Sequence, residues 1–176
     1  SPNILIFDIE TSLDLIASYG LREQYHRPEN IIMDWFLICF CWKWLDGSRV
    51  YNFSLLDDAK RFKKNPQDDY AVVKRLHEVI QDADVIVGHN MAGFDWKKFY
   101  ARVWYHKLPP IDKPKIIDTL KEARKVSFTS NKMSYLAKHL GLTHKARHSD
   151  DMWLRILKGE KAAVKECVDY CKTDVL

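Results

Sequence analysis

Apolar positions fall into short, nearly unbroken runs early in the chain and into helically spaced stripes later. Residues 3–9 form an almost continuous apolar run, which predicts a strand buried on both faces. Residues 35–45, rich in aromatic and β-branched side chains, predict a second strand, and Asp46-Gly47 signals a two-residue hairpin into a third at 49–54. The polar stretch 18–30 between the first two reads as a loop or a short irregular helix. The period then changes. Val72, Leu76, Val79, Ile80 and Ala83 stand at helical spacing within 68–83, and Trp96, Phe99, Tyr100, Val103 and Trp104 do so within 93–106. Between them, 84–89 reads Asp-Val-Ile-Val-Gly-His, another buried strand. Pro109-Pro110 and Pro114 enforce a break before a short strand at 115–118, and helices are predicted near 119–127, 132–140, 150–157 and 160–175. Three strands, then helix, strand, helix, strand and several helices, predict an α/β fold: a mixed sheet flanked by helices under the right-handed crossover rule.

A chain of 176 residues suffices for one domain with a sizeable core, and no repeat, low-complexity tract or linker divides it. The last predicted helix runs almost to Leu176, so the expectation is a single domain over 1–176 excised from something longer. A composition of 47% hydrophobic and 30% charged residues is that of a soluble, folded protein. The richest apolar run, 31–45, is interrupted by Asp34 and Lys43 and is too short to cross a bilayer. Ser1-Pro2-Asn3 leads straight into a strand with nothing resembling a signal peptide, which makes the cytoplasm the expected compartment and a membrane partner unexpected. Cys39 and Cys41 share one face of a strand, and Cys167 and Cys171 one face of a helix; their spacing is not that of a zinc knuckle, and reduced, buried packing residues are expected.

The acids are less easily explained by packing. Asp8 and Glu10 stand two apart on an otherwise apolar strand, so both point to one face, where unpaired charge is costly. Asp95 falls in the first turn of a helix that follows a buried strand, a position that dipole complementation alone also favours, by about 0.3–1 kcal/mol. Tyr170 and Asp174 are four apart on a helix, neighbours beside the stripe Val164, Cys167, Val168, Cys171 and Val175. Hard oxygen ligands gathered from distant segments suit Mg²⁺ or Mn²⁺, and two such ions together suit phosphodiester hydrolysis.

Three motifs, in this order, carry a family likeness: Phe7-Asp8-Ile9-Glu10-Thr11, His89-Asn90-Met91-Ala92-Gly93-Phe94-Asp95, and Tyr170-Cys171-Lys172-Thr173-Asp174. The chain resembles the DEDD 3′→5′ exonucleases from Ile4 to Val175, in the tyrosine subclass that includes proofreading domains of DNA polymerases. The sister subclass has His five residues before its last Asp, where this chain has Asp169. The resemblance implies a ribonuclease-H-like fold and two divalent ions, Mg²⁺ or Mn²⁺, about 3.5–4 Å apart. It implies that Asp8 bridges both ions, that Glu10 and Asp174 complete the tighter site, that Asp95 holds the second ion through water, and that Tyr170 orients the attacking water. It also implies single-stranded DNA 3′ ends as substrate, with RNA as the alternative, and a DNA polymerase or other replication protein as partner. With those four carboxylates set aside, 28 basic residues face 20 acidic ones, an excess that suits a polyanionic substrate.

Lesser candidates follow from the same motifs. Thr11 and Leu13 stand where relatives contact the terminal nucleotide. Asn90, five residues before Asp95 where some branches have four, either holds substrate, orients Asp95 or closes a turn. Asn131 and Lys132 open a predicted helix and are placed to meet a phosphate. Phe94 is expected in the core, Asp118-Thr119 as a helix cap, and the basic run 60–64 as a solvated face; His144 and His148 receive no role. Two competing readings are a binding module that has lost its chemistry, opposed by the complete set of four carboxylates and a tyrosine, and a dehalogenase-like phosphatase using Asp8 with the late pair Asp150-Asp151, opposed by Glu10 standing where that motif needs Asp.

Overall fold

The computed structural model describes residues 1–22, 25–142 and 148–176. Five strands form one sheet: β1 (Ile4–Thr11), β4 (Leu37–Trp44), β5 (Tyr51–Ser54), β6 (Val85–Gly88) and β7 (Lys115–Asp118), in the order β5-β4-β1-β6-β7. The β1–β4 and β4–β5 pairs are antiparallel, and β1–β6 and β6–β7 are parallel. This is the mixed sheet predicted, and β1, which carries Asp8 and Glu10, lies at its centre.

The helices are α1 (Ala59–Lys64), α2 (Tyr70–Gln81), α3 (Asp95–Tyr105), α4 (Thr119–Ala123), α5 (Met133–His139), α6 (Met152–Leu157) and α7 (Lys161–Thr173). α2 packs against β4 and α3, while α7 lies along β4 and touches β1. From Leu37 to Trp42 every residue of β4 is buried, so this strand has both faces covered. β1 differs from its expectation: Leu5, Phe7 and Ile9 are buried on one face, but Ile4, Ile6, Asp8 and Glu10 on the other are only half-covered. That open face is where the acids stand.

One local reading, the two-residue hairpin, is corrected, and two others gain detail. The described part of 18–30 is loop and turn ending in a 3₁₀ turn at Pro28–Asn30, as expected, and the residues flanking it, β2 (Leu15–Ile16) and β3 (Ile31–Met33), pair as a small antiparallel ladder. Such two- and three-residue strands are too short to show alternation. The β4–β5 connection is longer than two residues; Gly47 N–H donates to Trp44 O, Gly47 does not adopt the positive φ of a type I′ turn, and pairing resumes only at Trp42↔Tyr51. The basic run 60–64 forms most of α1, whose N-cap Asp58 accepts from Arg61 N, with Phe62 buried and the charged side chains outward.

The four cysteines are free and buried between β4 and α7, with Cys39 and Cys167 sulfurs 4.0 Å apart. Burial pushes the Cys39 and Cys171 thiols well above the usual range, as expected of packing residues. A second buried polar cluster fixes α3. Asp69, fully buried, accepts from Leu37 N at 2.8 Å, from Arg102 Nε and a terminal guanidinium nitrogen at 2.8 and 2.6 Å, and from His106 Nε2 at 2.6 Å. Burial raises the Asp69 pKa, but the His106 and Arg102 hydrogen bonds outweigh it and hold the carboxyl below its ordinary value.

Candidate active site

Parallel pairing of β1 with β6 ends at Ile6↔Val87, short of Asp8, while the antiparallel partner β4 continues as Asp8↔Cys41 and Glu10↔Cys39. The register shifts between Glu10 and Thr11, a bulge at the rim of the site. The two acids therefore overhang the carboxyl end of β6, the position at which open α/β sheets bind ligands. From the other side, α7 supplies Cys171, whose Sγ lies 3.6 Å from Asp8 Oδ2 and 3.5 Å from Asp8 O. Asp8, Glu10 and Cys171 each present a donor atom, all within 4.8 Å of one another.

Asp95 begins α3 and is only 3% exposed. Its Oδ1 accepts from Ile9 N at 3.2 Å. Burial pushes its carboxyl up to about 7; the Ile9 amide and its own backbone N–H oppose the rise, and the charges of Asp118 and Asp174 add to it. Tyr170 lies in the last turn of α7, its ring edge-on to His148 at 4.9 Å, and Asp174 caps that helix.

These side chains meet. Asp8, Glu10, Asp95, Tyr170 and Asp174 all line one cavity of about 660 Å³. Asn90 and Lys132 line it too, together with Arg124 and Asn131. Thr11 and Leu13 stand outside that lining, past the register shift, with Leu13 45% exposed. Phe94 corrects its expectation: it is 37% exposed and forms part of the cavity wall. Its aromatic composition suggested the core, but it precedes α3, which begins only at Asp95.

The loop between β6 and α3 is held from beneath. Asn90 is in the left-handed region at φ 63°, and its carbonyl accepts from the Gly93 and Phe94 amides. A Cβ on Gly93 would run into the Asn90 carboxamide oxygen, so any other residue there would displace the Asn90 side chain. Asp118 does cap α4, accepting from Leu120 N at 3.0 Å, and it also accepts from Asn90 N at 2.9 Å and Ala92 N at 3.0 Å. One buried carboxylate thus ties β7 to the loop that delivers Asp95. His89, quoted in the motif without a role, spans from Thr119 Oγ1 (3.0 Å) to the Asn131 carbonyl (2.9 Å). No periodicity marks such bridges, because their partners are 26 and more residues away. Asp150 and Asp151 are exposed and outside the cavity lining, so the phosphatase reading has no second acid there. His144 lies outside the described residues.

The sequence matches the RNase H superfamily over residues 45–176, three quarters of its length, and the chain belongs to that superfamily. Among solved structures it is similar to the family B DNA polymerase from the hyperthermophilic archaeon Pyrobaculum calidifontis, with a TM-score of 0.66 and 18% identity. That alignment covers 99% of this chain and 23% of the polymerase, so this chain spans about a quarter of its length, and the likeness is one of fold. No curated protein matches the sequence significantly. No helix among the described residues is long and apolar enough to cross a membrane.

Proposed function

We propose that this chain is a divalent-metal-dependent 3′→5′ exonuclease domain that removes mononucleotides from single-stranded DNA ends, a proofreading activity attached to a polymerase. The observation that carries the reading is the convergence of Asp8, Glu10, Asp95, Tyr170 and Asp174, from three separated motifs, on one cavity. The similarity in fold to a family B DNA polymerase, along 99% of this chain, supports it.

The donor set fits hard divalent cations. Oxygen donors dominate, Asp8 and Glu10 approach closely, and Asp95 is a carboxylate whose ionised form burial disfavours until a cation compensates it. Asp8, Glu10, Asp95 and Asp174 would hold Mg²⁺ or Mn²⁺, which when bound acidifies water and offsets charge on the scissile phosphate. The rest falls to the chain itself. With an ordinary pKa of about 10, a tyrosine hydroxyl is a poor free base at neutral pH, so Tyr170 serves to orient the attacking water. Lys132 and Arg124, exposed on the cavity rim, supply positive charge for the phosphates flanking the cut. Phe94 offers a ring face on which a terminal base can stack without regard to sequence.

The test is incubation with 5′-labelled single-stranded DNA and RNA of equal sequence, each with Mg²⁺, Mn²⁺ or EDTA. DNA shortened stepwise from its 3′ end, faster than RNA and only with metal, is the expected result. Preferential shortening of the RNA would make the protein an exoribonuclease.

A further inference from the structure

Asn131 carries a feature that phosphate binding does not explain. Its Oδ1 is buried and has no hydrogen-bond partner among the described residues, although the residue lines the cavity beside Lys132. Buried polar atoms in folded proteins are nearly always paired, and one left open in a binding cavity calls for a donor from the ligand. The Asn131 main chain is held in place, its carbonyl accepting from His89 Nε2 at 2.9 Å, and His89 directly follows β6 in the loop that leads to Asp95. The open acceptor is thus anchored to the same framework as the acids.

The chemistry of the orphan atom narrows its partner. An ionised phosphodiester offers only acceptors, so Oδ1 and a phosphate oxygen would repel. Base donors differ in kind and position among the four nucleotides, and an acceptor matched to one would stay unpaired with the others. A sugar hydroxyl is a donor that recurs in every nucleotide. We propose that Asn131 is a specificity-determining residue whose Oδ1 accepts a hydrogen bond from a hydroxyl of the terminal sugar. The inference rests on the nuclease reading of this cavity. The hydroxyl is either the 3′-OH, shared by DNA and RNA, or the 2′-OH, present only in RNA.

The experiment uses three single-stranded oligonucleotides identical except for a deoxy, dideoxy or ribo sugar on the 3′-terminal nucleotide. kcat/KM is measured with Mg²⁺, and affinity is measured separately in EDTA, for the parent and for Asn131→Ala. If the 3′-OH is the donor, the parent favours the deoxy over the dideoxy end by about tenfold, the scale of one ligand hydrogen bond to a buried acceptor, and Asn131→Ala brings that ratio near one. If the 2′-OH is the donor, the ribo-to-deoxy ratio collapses instead. Asn131→Leu, which fills a similar volume without an acceptor, must behave as Asn131→Ala, and Asn131→Asp, which keeps an oxygen, must restore discrimination. Ratios unchanged by removal of the acceptor overturn the inference and leave the nuclease reading standing. A parent protein that neither cuts nor binds any of the three overturns that reading and this inference with it.

Discussion

The Ile9 amide, between the two acids of β1, donates to the Asp95 carboxylate at 3.2 Å. The strand that carries Asp8 and Glu10 is therefore joined directly to the first residue of α3. Three acids from two motifs 85 residues apart hold one arrangement before any cation arrives, which is the kind of preorganisation a metal site needs.

This arrangement has a pH consequence. Burial lifts the folded-state pKa of Asp95 to about 7 from an ordinary 3.8, so between those values the folded protein binds a proton that the unfolded chain has lost. The stability contributed by this group is present below about pH 4 and is lost as pH rises through 7. Divalent binding, which needs the anion, must run the opposite way and release a proton at pH 6. Calorimetric titration of Mn²⁺ in buffers of different ionisation enthalpy should show that proton at pH 6 and much less of it at pH 8. Asp95→Asn should abolish the difference.

Asp118 accepts from three main-chain amides, those of Asn90, Ala92 and Leu120. Asp118→Ala leaves these donors without their acceptor and should cost about 2–3 kcal/mol of stability. Activity should fall further than stability accounts for, because the loop that sets Asp95 loses its tether. Urea unfolding alongside metal-saturated rates separates the two effects. A variant as stable as the parent would show that water replaces the carboxylate without loss.

Asp69 supplies a control away from the cavity. Its folded pKa lies below its ordinary 3.8, so its stabilisation is present above that value and lost as pH falls through the folded one. Asp69→Asn leaves Arg102 buried against a neutral amide and should destabilise the protein by about 3–5 kcal/mol at pH 7, with a smaller difference at pH 3. Melting temperatures across that range check it.

The order of strands and helices along the chain was legible because buried runs and helical stripes differ in period, and Asp8, Glu10, Asp95, Tyr170 and Asp174 stood out as acids, with one tyrosine, beside apolar elements. What escaped was set by contacts across the chain. Phe94 reads as core by composition, yet it faces the cavity because the Asn90–Gly93 turn rotates the chain just before α3 begins. Asp118 reads as a cap, and nothing local reveals that its other oxygen holds Ala92, 26 residues earlier. The β2–β3 ladder is too short to carry a pattern, and α1 hides one buried phenylalanine in a run of charge.

Tyr170→Phe should divide positioning from cation binding. The ring keeps its edge-on contact with His148 at 4.9 Å, and the carboxylates are untouched. Cation affinity should persist while turnover drops by about 10–100-fold, the cost of a water no longer held in line. An unchanged rate would reduce Tyr170 to packing.

The most direct test of the site itself is the early product ladder from 5′-labelled single-stranded DNA with Mg²⁺, for the parent and for Asp8→Ala. The account predicts a ladder shortening one nucleotide at a time from the 3′ end, erased by EDTA and by Asp8→Ala, with the variant still cooperatively folded. Internal cuts as the first products, or an Asp8→Ala rate within tenfold of the parent, would contradict it.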